Sequence, residues 1–152
     1  MDRLARIAFA ILSALLIPSL PGTRAYASEL KVRVINAKDG QAAQDLPVEV
    51  YAYDQKPGKP LKAVTGADGV ASFSLPDPAP RKVLVIDDVS GKVAGCSSAE
   101  FSTLDVLETG VVGDTKFARC DPKGKLRGRF TAHPGEIVVF IRFLRWLERM
   151  QT

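Results

Sequence analysis

Apolar and polar residues alternate along most of this chain. Leu30, Val32 and Val34 are interleaved with Lys31 and Arg33. Val48, Val50 and Ala52 alternate with Glu49, Tyr51 and Tyr53, and Ala71, Phe73 and Leu75 with Ser72 and Ser74. A period of two sends successive side chains to opposite faces, so each run predicts a half-buried strand. Residues 61–65, 82–86 ("KVLVI") and 93–97 add three more. Turn chemistry separates the runs: 55–60 is Gln-Lys-Pro-Gly-Lys-Pro, and Pro76, Pro78 and Pro80 cannot donate to a ladder. Between 61–65 and 70–75 stands Asp68-Gly69, which supplies the positive φ of a tight turn. The two runs are therefore expected to pair as an antiparallel hairpin, with Ala71, Phe73 and Leu75 facing the core.

Three stretches break the alternation. "PGEIVVFIRF" (134–143) is the most apolar stretch after residue 27 and is rich in β-branched and aromatic residues, which predicts a central strand buried on both faces. Ser102-Thr103-Leu104-Asp105 resembles a capping box, Leu104 and Leu107 are spaced for one helical face, and Gly110 can end the turn, so 103–109 is expected to be a short helix. Phe143, Trp146, Leu147 and Met150 fall at i, i+3, i+4 and i+7, with Arg142, Arg145 and Arg149 on another face. That pattern predicts a basic amphipathic helix over 143–150, expected to dock on the open end of the domain, the alternative being contact with an anionic membrane. The sum is an all-β fold: a single antiparallel β-sandwich of about seven strands, with one helical turn mid-chain and one short helix at the C-terminus.

The N-terminus sets the compartment. Arg3 and Arg6 precede an apolar run over 7–17, and Ala25-Tyr26-Ala27 places small residues where a signal peptidase reads them, so 1–27 reads as a signal peptide. The run is about half the roughly 20 residues of a spanning helix. Residues 28–152 then form one domain, exported to the periplasm or beyond. Cys96 and Cys120 are the only cysteines, and an even pair in an exported chain is expected to form a disulfide, worth roughly 3 kcal/mol in the chain-entropy account.

The net charge is +4 and unevenly spread. Residues 28–115 hold 9 basic and 13 acidic side chains, whereas 116–152 hold 9 basic and 3 acidic. Arg119, Lys123, Lys125, Arg127 and Arg129 make one basic run. It reads either as a contact for an anionic lipid, cell-wall polymer or glycan, or as a solvated loop punctuated by Pro122, Gly124 and Gly128. Nucleic acid is excluded as a partner by export and by the lack of aromatic residues within this run.

The series "LKVRVINAKDG", "LPVEVYAY", "LKAVTGADGVASFSLP" and "RKVLVID" resembles the carboxypeptidase-regulatory-like, prealbumin-like (transthyretin-like) sandwich family over residues 29 to about 90. One position departs from that pattern: where a glycine usually precedes the second strand, this chain reads "QDLPVEV". The chemistries that the resemblance implies do not fit these residues. Prealbumin-like hydrolases need several histidines and intradiol dioxygenases two, but His133 is the only one here. A collagen-adhesin-type isopeptide from Lys31 would need an asparagine that "EIVVFIRF" lacks.

Other catalytic patterns are equally thin. Ser97, Ser98 and Ser102 stand in no nucleophile-elbow motif. Asp87 and Asp88 are adjacent, so on an extended chain they point apart and read as turn residues. Asp54, Asp68 and Asp77 lack calcium-loop spacing. No metal or cofactor is implied. The expectation is a non-catalytic binding or structural module at the cell envelope, meeting an envelope protein or a glycan. The alternative is a small-ligand or glycan-binding domain presenting Tyr51, Tyr53 and Trp146; a hydrolase is the least supported class. Two or three rings coplanar on one sheet face would favour glycan binding, and buried rings a structural role.

Overall fold

The computed structural model describes residues 28–87, 90–97, 99–115, 120 and 125–145. Among them nine strands form two sheets. β1 (Glu29–Asn36), β4 (Val70–Ser74), β6 (Val93–Gly95), β8 (Val111–Val112) and β9 (Glu136–Phe143) make a five-stranded sheet in the order β4-β1-β9-β6, with β8 also paired to β9. β2 (Pro47–Tyr53), β3 (Leu61–Val64), β5 (Lys82–Ile86) and β7 (Glu100–Ser102) make a four-stranded sheet in the order β3-β2-β5-β7. The period-two pattern explains what joins them. Leu30, Val32 and Val34 of β1 and Ala71 and Phe73 of β4 meet Val48, Val50, Val83 and Val85 from the other sheet in one core.

β9 is central and buried on both faces, as its unbroken apolar run requires. Ile137, Val139 and Ile141 point into the main core, whereas Val138 and Phe140 point outward into a second cluster. That cluster holds Ile35, Cys96, Leu126 and Ala132, with Phe130 set edge-on to Phe140 at 5.5 Å between ring centres. Leu126, Phe130 and Ala132, from the segment after β8, thus cover part of the outward face of the five-stranded sheet. Cys96 and Cys120 form the expected disulfide, which ties this cover to the end of β6.

Several expectations are corrected. The sheet is mixed, because β9 runs parallel to both β1 and β8. The runs flanking Asp68-Gly69 do not pair: β3 pairs with β2, and β4 with β1 in the opposite sheet. The tight turn itself is present, with Gly69 at φ 73° and an Asp68 carboxylate oxygen accepting the Val70 N–H at 3.0 Å. Glycine is obligatory there, since a Cβ would sit 2.8 Å from the Val34 carbonyl oxygen. The corner is held by buried Thr65, whose hydroxyl donates to the Ala43 carbonyl at 2.7 Å and accepts the Leu46 N–H at 3.0 Å.

The mid-chain helix α1 (Thr103–Glu108) forms, and Ser102 caps it by accepting the Asp105 N–H. Its buried residues are Thr103 and Val106, and half-buried Leu107 packs against the main core, while Leu104 is 62% exposed, so the predicted helix stands but only one of its two leucines faces inward. Gly110 ends it at φ 75°, where a Cβ would overlap the His133 carbonyl. The C-terminal helix does not begin at 143: Phe143 belongs to β9, and the Leu144 N–H extends the pairing by donating to the Lys92 carbonyl at 2.9 Å. Trp146 and residues 147–150 lie outside the described residues, as do residues 1–27, where a signal peptide is expected. No helix among the described residues is long and apolar enough to cross a membrane.

Candidate functional site

Strand β2 buries Val48 and Val50 and carries Glu49, Tyr51 and Tyr53 on the face turned away from the core. Its neighbours complete that face. Register sets Lys62 of β3 beside Glu49, Leu84 of β5 beside Tyr51, Lys82 beside Tyr53, and Glu100 of β7 beside Leu84. Two polar chains result. Lys62 Nζ lies 2.5 Å from Glu49 Oε1, and the Tyr51 hydroxyl donates to Glu49 Oε2 at 3.2 Å. Lys82 Nζ lies 2.8 Å from Glu100 Oε1, and the Tyr53 hydroxyl donates to Glu100 Oε2. One Lys–Glu–Tyr arrangement is therefore repeated across four strands.

The ionisation of these groups follows from the pairing. The Lys62 ammonium holds the Glu49 carboxyl below its ordinary range, and Lys82, then the Tyr53 hydroxyl, do the same for Glu100. Both lysines are pushed up by their carboxylates. Tyr51 is raised first by partial burial and then by Glu49, and Tyr53 first by its hydrogen bond to Glu100. At neutral pH the face holds two ammonium–carboxylate pairs and two protonated phenols. Both rings are half-buried on one sheet face, apart from the core.

The shared face of Glu49, Tyr51 and Tyr53 is legible from period two alone. Lys62, Lys82 and Glu100 are not, because their place beside β2 depends on strand order, and the expected hairpin gave β3 the wrong neighbour.

The other candidate residues lie elsewhere. Lys125 is exposed, and Arg127 and Arg129 sit exposed on a 3₁₀ turn (Arg127–Arg129) of the cover, away from the tyrosine face; Arg119 and Lys123 lie outside the described residues. The outward face of the five-stranded sheet has a groove of about 470 Å³ lined by Lys31, Arg33, Ser72, His133 and Glu136. Its centre is structural: Glu136, 4% exposed, lies with Oε1 2.5 Å from Arg33 Nη2, and its Oε2 accepts the His133 N–H at 3.0 Å. Ser97 is engaged in the fold as well, its hydroxyl oxygen accepting the Phe140 N–H at 2.9 Å.

Asp54 is engaged in the loop architecture, accepting the Arg81 N–H at 2.8 Å. Asp87, expected as a turn residue, is buried, packed where a Cβ on Gly95 would meet its Oδ1 at 2.8 Å. Asp88 and Ser98 lie outside the described residues. Among the described residues no group of three or more His, Cys, Asp or Glu side chains is placed to hold a metal ion.

No family model matches the chain, and no curated protein matches it. Among solved structures the chain is similar to a DUF3823 family protein from Parabacteroides merdae, at 14% identity and a TM-score of 0.39. The match covers 76% of this chain and 46% of that one, so the chain spans less than half the length of that structure.

Proposed function

We propose that this chain is a non-catalytic, exported β-sandwich that serves as a binding module at the cell envelope, and that its contact surface is the outward face of the four-stranded sheet. The observation that carries this reading is the pair of Lys–Glu–Tyr chains ordered across β3, β2, β5 and β7. Protein surfaces commonly carry lysines and glutamates; half-buried tyrosines held in register by them form a prepared surface, because the rings keep their orientation before any partner arrives. Export is supported by the Cys96–Cys120 disulfide together with the signal-peptide pattern of 1–27. Kinship with the carboxypeptidase-regulatory-like sandwiches is part of the same proposal, supported by the two-sheet arrangement of β1 to β5. The missing glycine of that pattern has a substitute, since Asp45 takes a left-handed φ of 56° just before β2.

Co-sedimentation tests the reading. Residues 28–152 are mixed with washed envelope fragments, alongside the variants Tyr51→Ala/Tyr53→Ala and Arg127→Gln/Arg129→Gln. The tyrosine variant should lose retention at least tenfold while keeping its melting temperature within a few degrees, and the arginine variant should sediment like the unaltered domain. Loss confined to the arginine variant would move the contact to the basic cover and reject the tyrosine face.

A further inference from the structure

The composition of this face also indicates what it holds, provided that the reading of it as the contact surface is right. We infer that the occupant is an uncharged glycan chain lying across Tyr51 and Tyr53. Three observations point there. The first is charge balance: Lys62 faces Glu49 at 2.5 Å and Lys82 faces Glu100 at 2.8 Å, so neither ammonium offers an uncompensated charge to an anion, nor either carboxylate to a cation. A surface built to attract a charged polymer would show an excess of one sign.

The second is the inventory of donors and acceptors. Each tyrosine oxygen donates to a carboxylate and still accepts, each ammonium keeps further N–H donors, and each carboxylate oxygen retains lone pairs. Donors and acceptors therefore alternate along the face. Sugar hydroxyls, which donate and accept at once, match that alternation better than a carbonyl-rich or phosphate-rich ligand does. The third is the apolar component. Tyr51 and Tyr53 are two residues apart on one strand, so their rings repeat at about 7 Å. Leu84 lies beside Tyr51 and half-buried Ile86 beside Glu49 on the same face. These aromatic and aliphatic groups give the face apolar ground for the C–H groups of a sugar.

A second copy of this chain is the less fitting occupant. Packing two such faces together would desolvate four ion pairs, at a cost that only well-made replacement contacts could offset.

The test uses residues 28–152 and two probes. The first is the envelope fragments of the sedimentation experiment, before and after mild periodate oxidation of vicinal diols. The second is a set of soluble polysaccharides in affinity electrophoresis: neutral β-glucan, α-glucan and mannan, with polygalacturonate as the charged counterpart. Periodate should cut retention at least tenfold. At least one neutral polysaccharide should retard the domain, unchanged by 0.5 M salt on the order of magnitude used to screen charge, and Tyr51→Ala and Tyr53→Ala should each weaken that retardation about tenfold. If retention survives periodate and no neutral polysaccharide retards the domain, yet retention still falls in the tyrosine variants, the glycan is overturned and the contact face stands. If a polysaccharide binds the tyrosine variants as well as the unaltered domain, both fall. Retardation by polygalacturonate alone, abolished by salt, would overturn the uncharged ligand.

Discussion

Asp45 shows how a single position can hide behind a familiar pattern. Two residues before β2 the chain turns with positive φ, and Asp45 does so at 56°, the only non-glycine residue among those described that adopts it. Aspartate tolerates this region better than most side chains, and its N–H is held by the Thr65 carbonyl at 3.0 Å. Asp45→Val should therefore cost about 1–2 kcal/mol in urea unfolding, the usual steric penalty of the left-handed region. Asp45→Gly should stay within about 0.5 kcal/mol, because relief of strain is offset by the greater freedom of glycine in the unfolded chain. A valine variant as stable as the original would remove the strain from this account. The sequence carried the cue, a missing glycine in "QDLPVEV", but not the answer, since φ is invisible in a residue type that also suits ordinary turns.

At the scale of elements, alternation located β1, β2, β4 and β5 and placed Tyr51 and Tyr53 on one face. It failed where two arrangements bury the same residues. Ala71, Phe73 and Leu75 reach the core whether β4 pairs with β3 or faces it from the opposite sheet, so the pattern could not choose, and buried Thr65 and the Val34 N–H bond to the Gly69 carbonyl settle the crossover. The Lys–Glu–Tyr chains belong to this scale, because each joins separate strands, and they imply a pH profile. The carboxylates of Glu49 and Glu100 are lowered on folding, so their contribution is present above the ordinary carboxylate range and lost as pH falls through their depressed values. Lys62, Lys82, Tyr51 and Tyr53 are raised, so theirs is present below about pH 10 and lost as pH climbs past it. Envelope retention should accordingly be level from about pH 5 to 9 and fall on either side. A steep change near neutrality would mean that groups outside these chains carry the contact.

At the scale of the whole molecule, the described residues form two sheets around one core, with a second, smaller core beneath the disulfide-tethered cover. The continuous apolar run of β9 made its burial on both faces legible, yet nothing in the alternation showed that Leu126, Phe130 and Ala132 provide the outer layer. Those residues sit in a charged, glycine-bearing stretch whose local pattern reads as loop. Two consequences separate the cores. Cys96→Ser/Cys120→Ser should lower stability by about 3 kcal/mol. The loss should begin locally, as dye binding to Ile35, Val138 and Phe140 and proteolysis within 125–132 before the main transition. Envelope retention through the tyrosine face should survive while the main core is folded. Simultaneous loss of cover, core and retention would show a single cooperative unit instead.

The central claim is that the outward face of the four-stranded sheet makes the contact, and hydroxyl-radical footprinting of residues 28–152, free and bound to envelope fragments, reads it residue by residue. Oxidation of Tyr51, Tyr53 and Leu84 should fall several-fold on binding, with Leu104, Phe143 and the residues around Arg127 unchanged. Protection of Phe143 or the 125–130 segment, with Tyr51 and Tyr53 oxidised as in the free domain, would contradict it.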